Sequence, residues 1–350
     1  MLRTTIPCAE AVEQLPSFDA IVDVRSPAEF ALDHVPGAIN CPVLDDDERA
    51  RVGTMHTHDS AFAARRCGAA LVAANIARHL QQRFARMPRT WRPLVYCWRG
   101  GQRSGAMTNV FTMIGWPARQ LEGGYRAYRR HVVAELERLP APLALRVVCG
   151  PTGSGKSRLL RHLAAAGAQV LDLEEIAQHR GSVLGALPAA PQPSQKLFET
   201  RLWWTLRSLD PARPVFVESE SRKVGQLRLP DALLEHMRAA ECVRVELPLP
   251  ARVRLLRDEY AHFEADAASL QRQLDCLTAL HGHDRVAQWK ALAGDRRWDE
   301  MVTRLLAEHY DPAYQRSIHR NFARAAEASV VSIGADDEQA FARAARALAG

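Results

Sequence analysis

Residues Val148 to Ser157 read Val-Cys-Gly-Pro-Thr-Gly-Ser-Gly-Lys-Ser, and few decapeptides restrict a fold so tightly. Gly150, four further residues and then Gly155-Lys156-Ser157 satisfy the phosphate-loop pattern. An apolar strand precedes the run and a helical stretch follows, the context in which that pattern works. Backbone amides from Thr152 through Gly153, Ser154, Gly155 and Lys156 to Ser157 are then placed to hold phosphate oxygens. Lys156 neutralises them, and Ser157 can bind Mg²⁺. Only four of the 46 basic residues are lysines, so a lysine at this one position is hard to read as accident. The motif asks for a diphosphate or longer; nothing else in the chain identifies adenine. Glu218, closing an apolar strand, is the first candidate for a carboxylate on the metal side or a base, and Asp172 is its rival. Either could instead cap a helix.

A second anion site lies upstream, in Tyr96-Cys97-Trp98-Arg99-Gly100-Gly101-Gln102-Arg103-Ser104. A cysteine ending a buried strand, followed by a glycine turn into a helix, has amides and a helix N-terminus directed at its sulfur. Such settings favour the thiolate. Arg99 and Arg103 are expected to add positive charge, with Gly100, Gly101, Gln102 and Ser104 completing an anion loop. An inert buried cysteine is the plainer reading, disfavoured here by two arginines and two glycines in one loop.

Charge is distributed unevenly. Residues 1–48 carry −8, residues 49–138 carry +12 and the remainder is near neutral. The basic segment contains Cys97, so a polyanion docking there is one reading and a solvated arginine face the other. Seven cysteines without a CxxC pair argue against a disulfide framework or a zinc ribbon. No apolar run reaches the length that spans a bilayer, and the N-terminus does not resemble a signal peptide. A reducing cytoplasm is the expected compartment, and a monomer is expected because nothing demands a dimer.

Alternating strands and helices run along the chain. Strands are expected at Asp19–Val24, 36–40, Pro93–Tyr96 and Leu143–Cys149, and again at Val170–Asp172, Pro214–Glu218, Val243–Leu247 and Ser329–Ile333. Helices are expected over 61–87, 103–114 and 125–139, and from the last strand to the end. Pro140 and Pro142 mark a linker, giving domains 1–138 and 139–350. The fold class is α/β: a first α/β domain, then a phosphate-loop domain with a mainly parallel sheet and a helical C-terminal part.

Arg252, Arg254 and Arg257 share a helix and could reach phosphates, though an exposed arginine face is the commoner case. Trp203 and Trp204, with Phe198 and Leu202, could line an apolar pocket; core packing is the commoner fate.

The cysteine loop, with Asp23-Val24-Arg25-Ser26-Pro27-Ala28-Glu29-Phe30 and His34-Val35-Pro36-Gly37-Ala38-Ile39-Asn40, resembles the rhodanese family of sulfurtransferases over about residues 15 to 130. Cys97 to Arg103 departs from that family's six-residue loop. It spans Cys-x5-Arg, a length that also resembles the dual-specificity phosphatases, although no acid lies inside the loop. Length alone does not decide between selenium transfer and phosphate chemistry.

The pairing of two such domains is more specific. Together with Gly123-Gly124-Tyr125-Arg126-Ala127-Tyr128 and His179-Arg180-Gly181-Ser182, it resembles the tRNA 2-selenouridine synthases over nearly the whole chain. The resemblance implies that wobble 2-thiouridine becomes 2-selenouridine in two steps. Geranyl diphosphate first alkylates the sulfur, with its diphosphate on the phosphate loop. Selenium from selenophosphate then displaces the S-geranyl group, carried on Cys97 as a selenylsulfide. It implies partners as well: tRNA, held near its anticodon by the basic segment, and an enzyme supplying selenophosphate. Trp91, Trp98, Trp116, Tyr125 and Tyr128 are candidates for stacking on unstacked bases. Two other readings stay open: a phosphate-loop kinase with a regulatory rhodanese module, and a Cys-x5-Arg phosphatase fused to a nucleotide-binding domain.

Overall fold

The computed structural model describes residues 4–187 and 191–350; the expectation about the N-terminus falls partly on residues 1–3, outside them. The chain divides into two compact units. One is Met1–Glu135 with Glu199–Arg201, the other Leu136–Phe198 with Leu202–Gly350.

The first unit is built on β1 (Thr5–Ile6), β2 (Ala20–Asp23), β3 (Ala38–Asn40), β4 (Pro93–Tyr96) and β5 (Arg119–Leu121), in the order β1-β5-β4-β2-β3 with every pair parallel. Parallel strands need crossovers that cover both faces of the sheet, so the central strand becomes apolar throughout. All four residues of β4 are buried. On one side Phe84, Trp91 and Trp116 surround Phe111, whose ring meets each of theirs edge-on or nearly so at centroid distances of 5.3 Å. Trp91 and Trp116 therefore belong to the core and are not available to stack on a base. Edge-to-face contact is a favoured way to bury such rings.

Several features differ from the expectation, among them the short helices Cys8–Glu13 and Pro27–Leu32. The helix from Ala61 ends at His79 and runs into a π-turn over Leu80–Phe84, short of Met87. A helix over Asp46–His58 was not foreseen: none of its residues is buried, so it has no apolar stripe, although the Asp45/Glu48 capping box that starts it is legible. Strands β1 and β5 are too short for alternation to register.

The second unit contains β6 (Leu145–Cys149), β7 (Gln169–Leu171), β8 (Val215–Glu218), an antiparallel ribbon of β9 (Lys223–Val224) and β10 (Leu227–Arg228), then β11 (Glu241–Glu246) and β12 (Ser329–Ser332). The main sheet is parallel, ordered β12-β11-β6-β8-β7. Helix Lys156–Ala165 buries Leu159, Leu160 and Leu163 in a core shared with Phe341 and Ala345 of the last helix, Glu338–Ala349. Helices between Ala261 and Asn321 enclose a separate core around Leu274, Trp289 and Leu305.

Both predicted anion sites leave the C-terminal end of a central strand: Cys97 after β4, and Gly150 after β6. Open α/β sheets bind ligands there, where neighbouring connections part to opposite sides. All seven cysteines are free, and among the described residues no helix is long and apolar enough to cross a membrane.

Candidate active sites

Cys97 is only 3% exposed. Its Sγ accepts a hydrogen bond from Ser104 Oγ at 3.1 Å. Gln120 Nε2 donates to that same Ser104 oxygen at 2.9 Å, and the one hydroxyl proton is shared between the sulfur and the Gly101 carbonyl at 3.3 Å. Gln120 also donates to the Gly100 carbonyl at 2.7 Å and so pins the outer turn of the loop. Gly101, at the start of helix Gln102–Ile114, supplies no capping side chain, and the positive end of the helix faces the loop. Gln120 was missed by the sequence reading; it lies on β5, a strand that reading did not find.

The loop rests on the Gly123-Gly124-Tyr125-Arg126 segment. The Tyr125 amide donates to the Cys97 carbonyl at 2.8 Å, and the Arg126 amide to the Trp98 carbonyl at 3.0 Å. Gly124 has φ +56°, and a β-carbon there would lie 2.3 Å from the Cys97 oxygen. Gly100, at φ +66°, would meet the Leu121 carbonyl at 2.6 Å. Only glycine permits this approach of two backbones. Behind them, buried Arg25 binds Asp23 through Nε at 3.0 Å and Nη2 at 2.6 Å, with its guanidinium 4.1 Å from the Tyr125 ring centroid.

The two arginines are placed differently from the expectation. Arg103 Nη1 donates to Glu29 Oε2 at 2.8 Å, so its charge is committed to a carboxylate rather than to the sulfur. Burial pushes the Glu29 carboxyl upward, but the Arg103 hydrogen bond and charge outweigh it and hold the group below its ordinary range. Arg99 is exposed. Arg103 and Gln102 border a groove with Arg49, His56 and Arg65. Tyr125 and Tyr128 are buried, leaving Trp98, half-buried against Tyr125, as the one partly exposed member of the five proposed stacking aromatics.

The phosphate loop opens onto a cleft lined by Gly150, Thr152, Gly153, Gly155, Lys156 and Ser157. Lys156 Nζ donates to the Gly150 carbonyl at 2.9 Å, within the loop's own concavity. Ser154 is fully buried, and its amide donates to the Pro151 carbonyl at 3.0 Å, so it shapes the loop without lining the cleft.

Neither expected acid reaches Ser157. Glu174 does, accepting from Ser157 Oγ at 2.7 Å. Asp172 lines the cleft but caps helix Leu173–Ala177 through the Glu175 amide at 2.8 Å. Glu218 is 1% exposed and accepts from the Glu174 amide at 2.7 Å, standing one layer behind. Burial pushes all these carboxyls upward: Asp172 to about 6, Glu174 and Glu218 also up, and Glu220, with Glu174 nearby, to about 8. Glu174 and Glu220 were missed because neither ends an apolar strand. Gly181, at φ +65°, packs against both: a β-carbon there would lie 2.6 Å from Glu220 Oε1 and 2.9 Å from Glu174 Oε1. Among the described residues, no three His, Cys, Asp or Glu side chains form a metal cage.

Arg252, Arg254 and Arg257 are engaged with protein. Arg252 bonds the Thr152 carbonyl and Asp311, Arg254 pairs with Asp336, and Arg257 with Glu264 and Asp299. Phe198, Leu202 and Trp203 are buried, while Trp204 is 42% exposed.

Residues 143–282 match the family described as tRNA 2-selenouridine synthase AAA domain, and residues 8–131 match the Rhodanese-like domain. The tRNA 2-selenouridine synthase of Nitrosomonas europaea is 38% identical over 244 residues, 69% of this chain and 63% of that protein, so this match spans less than two thirds of the relative. Matches to proteins of the same name run nearly end to end elsewhere. The one from Shewanella loihica is 34% identical over 91% of this chain and 92% of its own, and the one from Bdellovibrio bacteriovorus 31% identical over 86% and 89%. The chain belongs to the tRNA 2-selenouridine synthase family.

Proposed function

We propose that the chain converts wobble 2-thiouridine of tRNA into 2-selenouridine, with prenylation at the phosphate loop of domain 139–350 and selenium transfer at Cys97 of domain 1–138. The observation that carries this reading is the presence of two anion sites, one for a diphosphate and one around a thiol, each at the C-terminal end of a central strand.

The chemistry needs both. Thiocarbonyl sulfur is a poor leaving group. In the first step it attacks C1 of geranyl diphosphate; the C1–O bond breaks, pyrophosphate departs with the electron pair, and the N3 proton is lost. The loop amides and Lys156 stabilise charge that develops on the departing pyrophosphate. The Ser157 hydroxyl and the Glu174 carboxylate, 2.7 Å apart, are the oxygens that would hold Mg²⁺ here. When bound it would neutralise diphosphate charge. In the second step the selenium of selenophosphate, bound in the Cys97 loop, attacks C2, and the C2–S bond breaks to release geranylthiol, which takes up a proton. Water then attacks phosphorus; the Se–P bond breaks with its electron pair on selenium, phosphate departs and N3 regains its proton. Ser104 and the helix N-terminus stabilise the anionic selenium donor beside Cys97. The exposed arginines of 49–138 attract the anticodon arm. The phosphatase alternative loses its cradle arginine, since Arg103 is held by Glu29.

Mass spectrometry of wobble nucleosides tests this in cells supplied with selenium. Cys97→Ala abolishes selenouridine and leaves S-geranyl-thiouridine, whereas Lys156→Ala lowers both. Selenouridine persisting in Cys97→Ala cells removes the transfer role.

A further inference from the structure

Four of the five aromatics expected to stack on bases are buried, yet the thiol-loop unit presents another ring to solvent: Phe62 is 73% exposed. It stands in the first turn of helix Ala61–His79. Arg65 and Ala69, at i+3 and i+7 from it, line the groove that Gln102 and Arg103 border. Helical spacing therefore sets the Phe62 ring over the rim of that groove.

The groove encloses about 540 Å³. Its floor is small and apolar, with Val52, Gly53, Ala64, Gly68 and Val72. Cations stand along it. Arg49 and His56 share one face of helix Asp46–His58, and Arg65 belongs to the helix packed against it. All three are exposed, and no carboxylate pairs with Arg49 or Arg65 among the described residues. The acids that begin the first helix are engaged elsewhere. Asp45 accepts from the Glu48 amide, Asp46 from the Ala28 amide, and Glu48 from Asn75.

We propose that this groove holds the single-stranded RNA flanking the wobble nucleotide, with a base stacked on Phe62 and phosphates paired with Arg49 and Arg65. The inference rests on the function proposed above and names the surface by which the thiol-loop unit grips its RNA. Two unpaired guanidinium groups beside an apolar floor, with a ring at the rim, match the phosphates, sugars and bases of an unpaired strand. Gln102 opens the helix that follows the thiol loop, so a strand leaving the groove at that end arrives beside Cys97. A duplex stem fits poorly, because its base faces are already covered and leave Phe62 nothing to stack on. A run of carboxylates would answer the arginines but not the ring. Stacking tolerates any base, so the groove sets the course of the strand rather than its sequence.

The test is fluorescence anisotropy with the full chain and three probes: an anticodon stem-loop RNA carrying wobble 2-thiouridine, a blunt RNA duplex of the same composition, and poly-glutamate. The unaltered protein is expected to bind the stem-loop at least tenfold tighter than the duplex. Phe62→Ala is expected to weaken the stem-loop at least fivefold with its salt dependence unchanged, and Phe62→Trp to keep wild-type affinity. Arg49→Gln with Arg65→Gln is expected to lower the slope of log affinity against log salt by about 1.4, at about 0.7 for each phosphate contact on a single strand. All three positions are exposed, and an unchanged melting temperature shows that the variants fold. Stem-loop affinity unchanged in Phe62→Ala, or a salt slope unchanged in the arginine variant, overturns the proposal and leaves the tRNA reading standing. Poly-glutamate bound as tightly as the stem-loop, and weakened as much by Phe62→Ala, also overturns it and makes the groove a protein-docking surface. Absence of saturable stem-loop binding to the unaltered protein overturns the underlying reading instead.

Discussion

The Tyr125 amide donates to the Cys97 carbonyl at 2.8 Å, which fastens the thiol loop to a glycine pair 26 residues later in the chain. Gly124 makes that contact sterically possible. Gly124→Ala would drive a methyl group to 2.3 Å from the Cys97 oxygen and 2.4 Å from the Gly100 nitrogen, so the loop must shift. Selenium transfer should fall at least a hundredfold while geranylation persists, read as S-geranyl-thiouridine accumulating in single-turnover assays. Transfer at the wild-type rate would show that the loop does not need this underlay.

Ser104 and Gln120 act on the sulfur in series. Ser104→Ala removes the hydroxyl that donates to Cys97, and Gln120→Ala removes the group that orients it. A net hydrogen bond is worth about 0.5–1.5 kcal/mol, so Ser104→Ala should slow selenium transfer roughly two- to tenfold. Gln120→Ala should cost less. In the double variant the two losses should not add, because they lie on one chain of bonds. Additive losses would mean that Gln120 acts by another route.

Glu220 makes the second unit sensitive to pH. Burial first, then the neighbouring Glu174, push its carboxyl to about 8, against about 4.3 in an unfolded chain. As pH rises between those values, the unfolded state releases a proton that the folded state keeps. Stability therefore falls across this range and levels off above pH 8. Glu220→Gln removes that loss. Its Tm should match the wild type near pH 4 and exceed it at pH 8, by about 2–4 °C for each kcal/mol gained. An equal Tm difference at both pH values would show that Glu220 ionises normally.

Arg252 braces the phosphate loop from behind. Its Nε and Nη2 donate to the Thr152 carbonyl at 3.0 and 2.7 Å, and Nη2 reaches Asp311 at 2.6 Å. Arg252→Met would leave a loop carbonyl and a carboxylate unpaired, a loss of about 1–3 kcal/mol that a urea titration would detect. Pyrophosphate affinity should fall with it. Weakened pyrophosphate binding without lost stability would instead indicate direct contact between Arg252 and the phosphates.

What could be read in advance was whatever the backbone demands locally. A phosphate loop needs Gly150, Gly155 and Lys156 at set offsets after an apolar strand. A thiol loop needs glycines beside Cys97, and parallel buried strands read as apolar runs. Those requirements lie within a dozen residues of one another, so the decapeptide, the cysteine loop and the order of the main strands were legible. Side-chain partners were not, because packing of distant segments sets them. Arg103 meets Glu29 from 74 residues away. Trp91 and Trp116 vanish into one aromatic core, and Glu174 occupies the place beside Ser157 foreseen for Asp172 or Glu218. Only the assembled sheet, by bringing strand ends and crossover helices together, decides which of several equally plausible charges faces the reacting atoms.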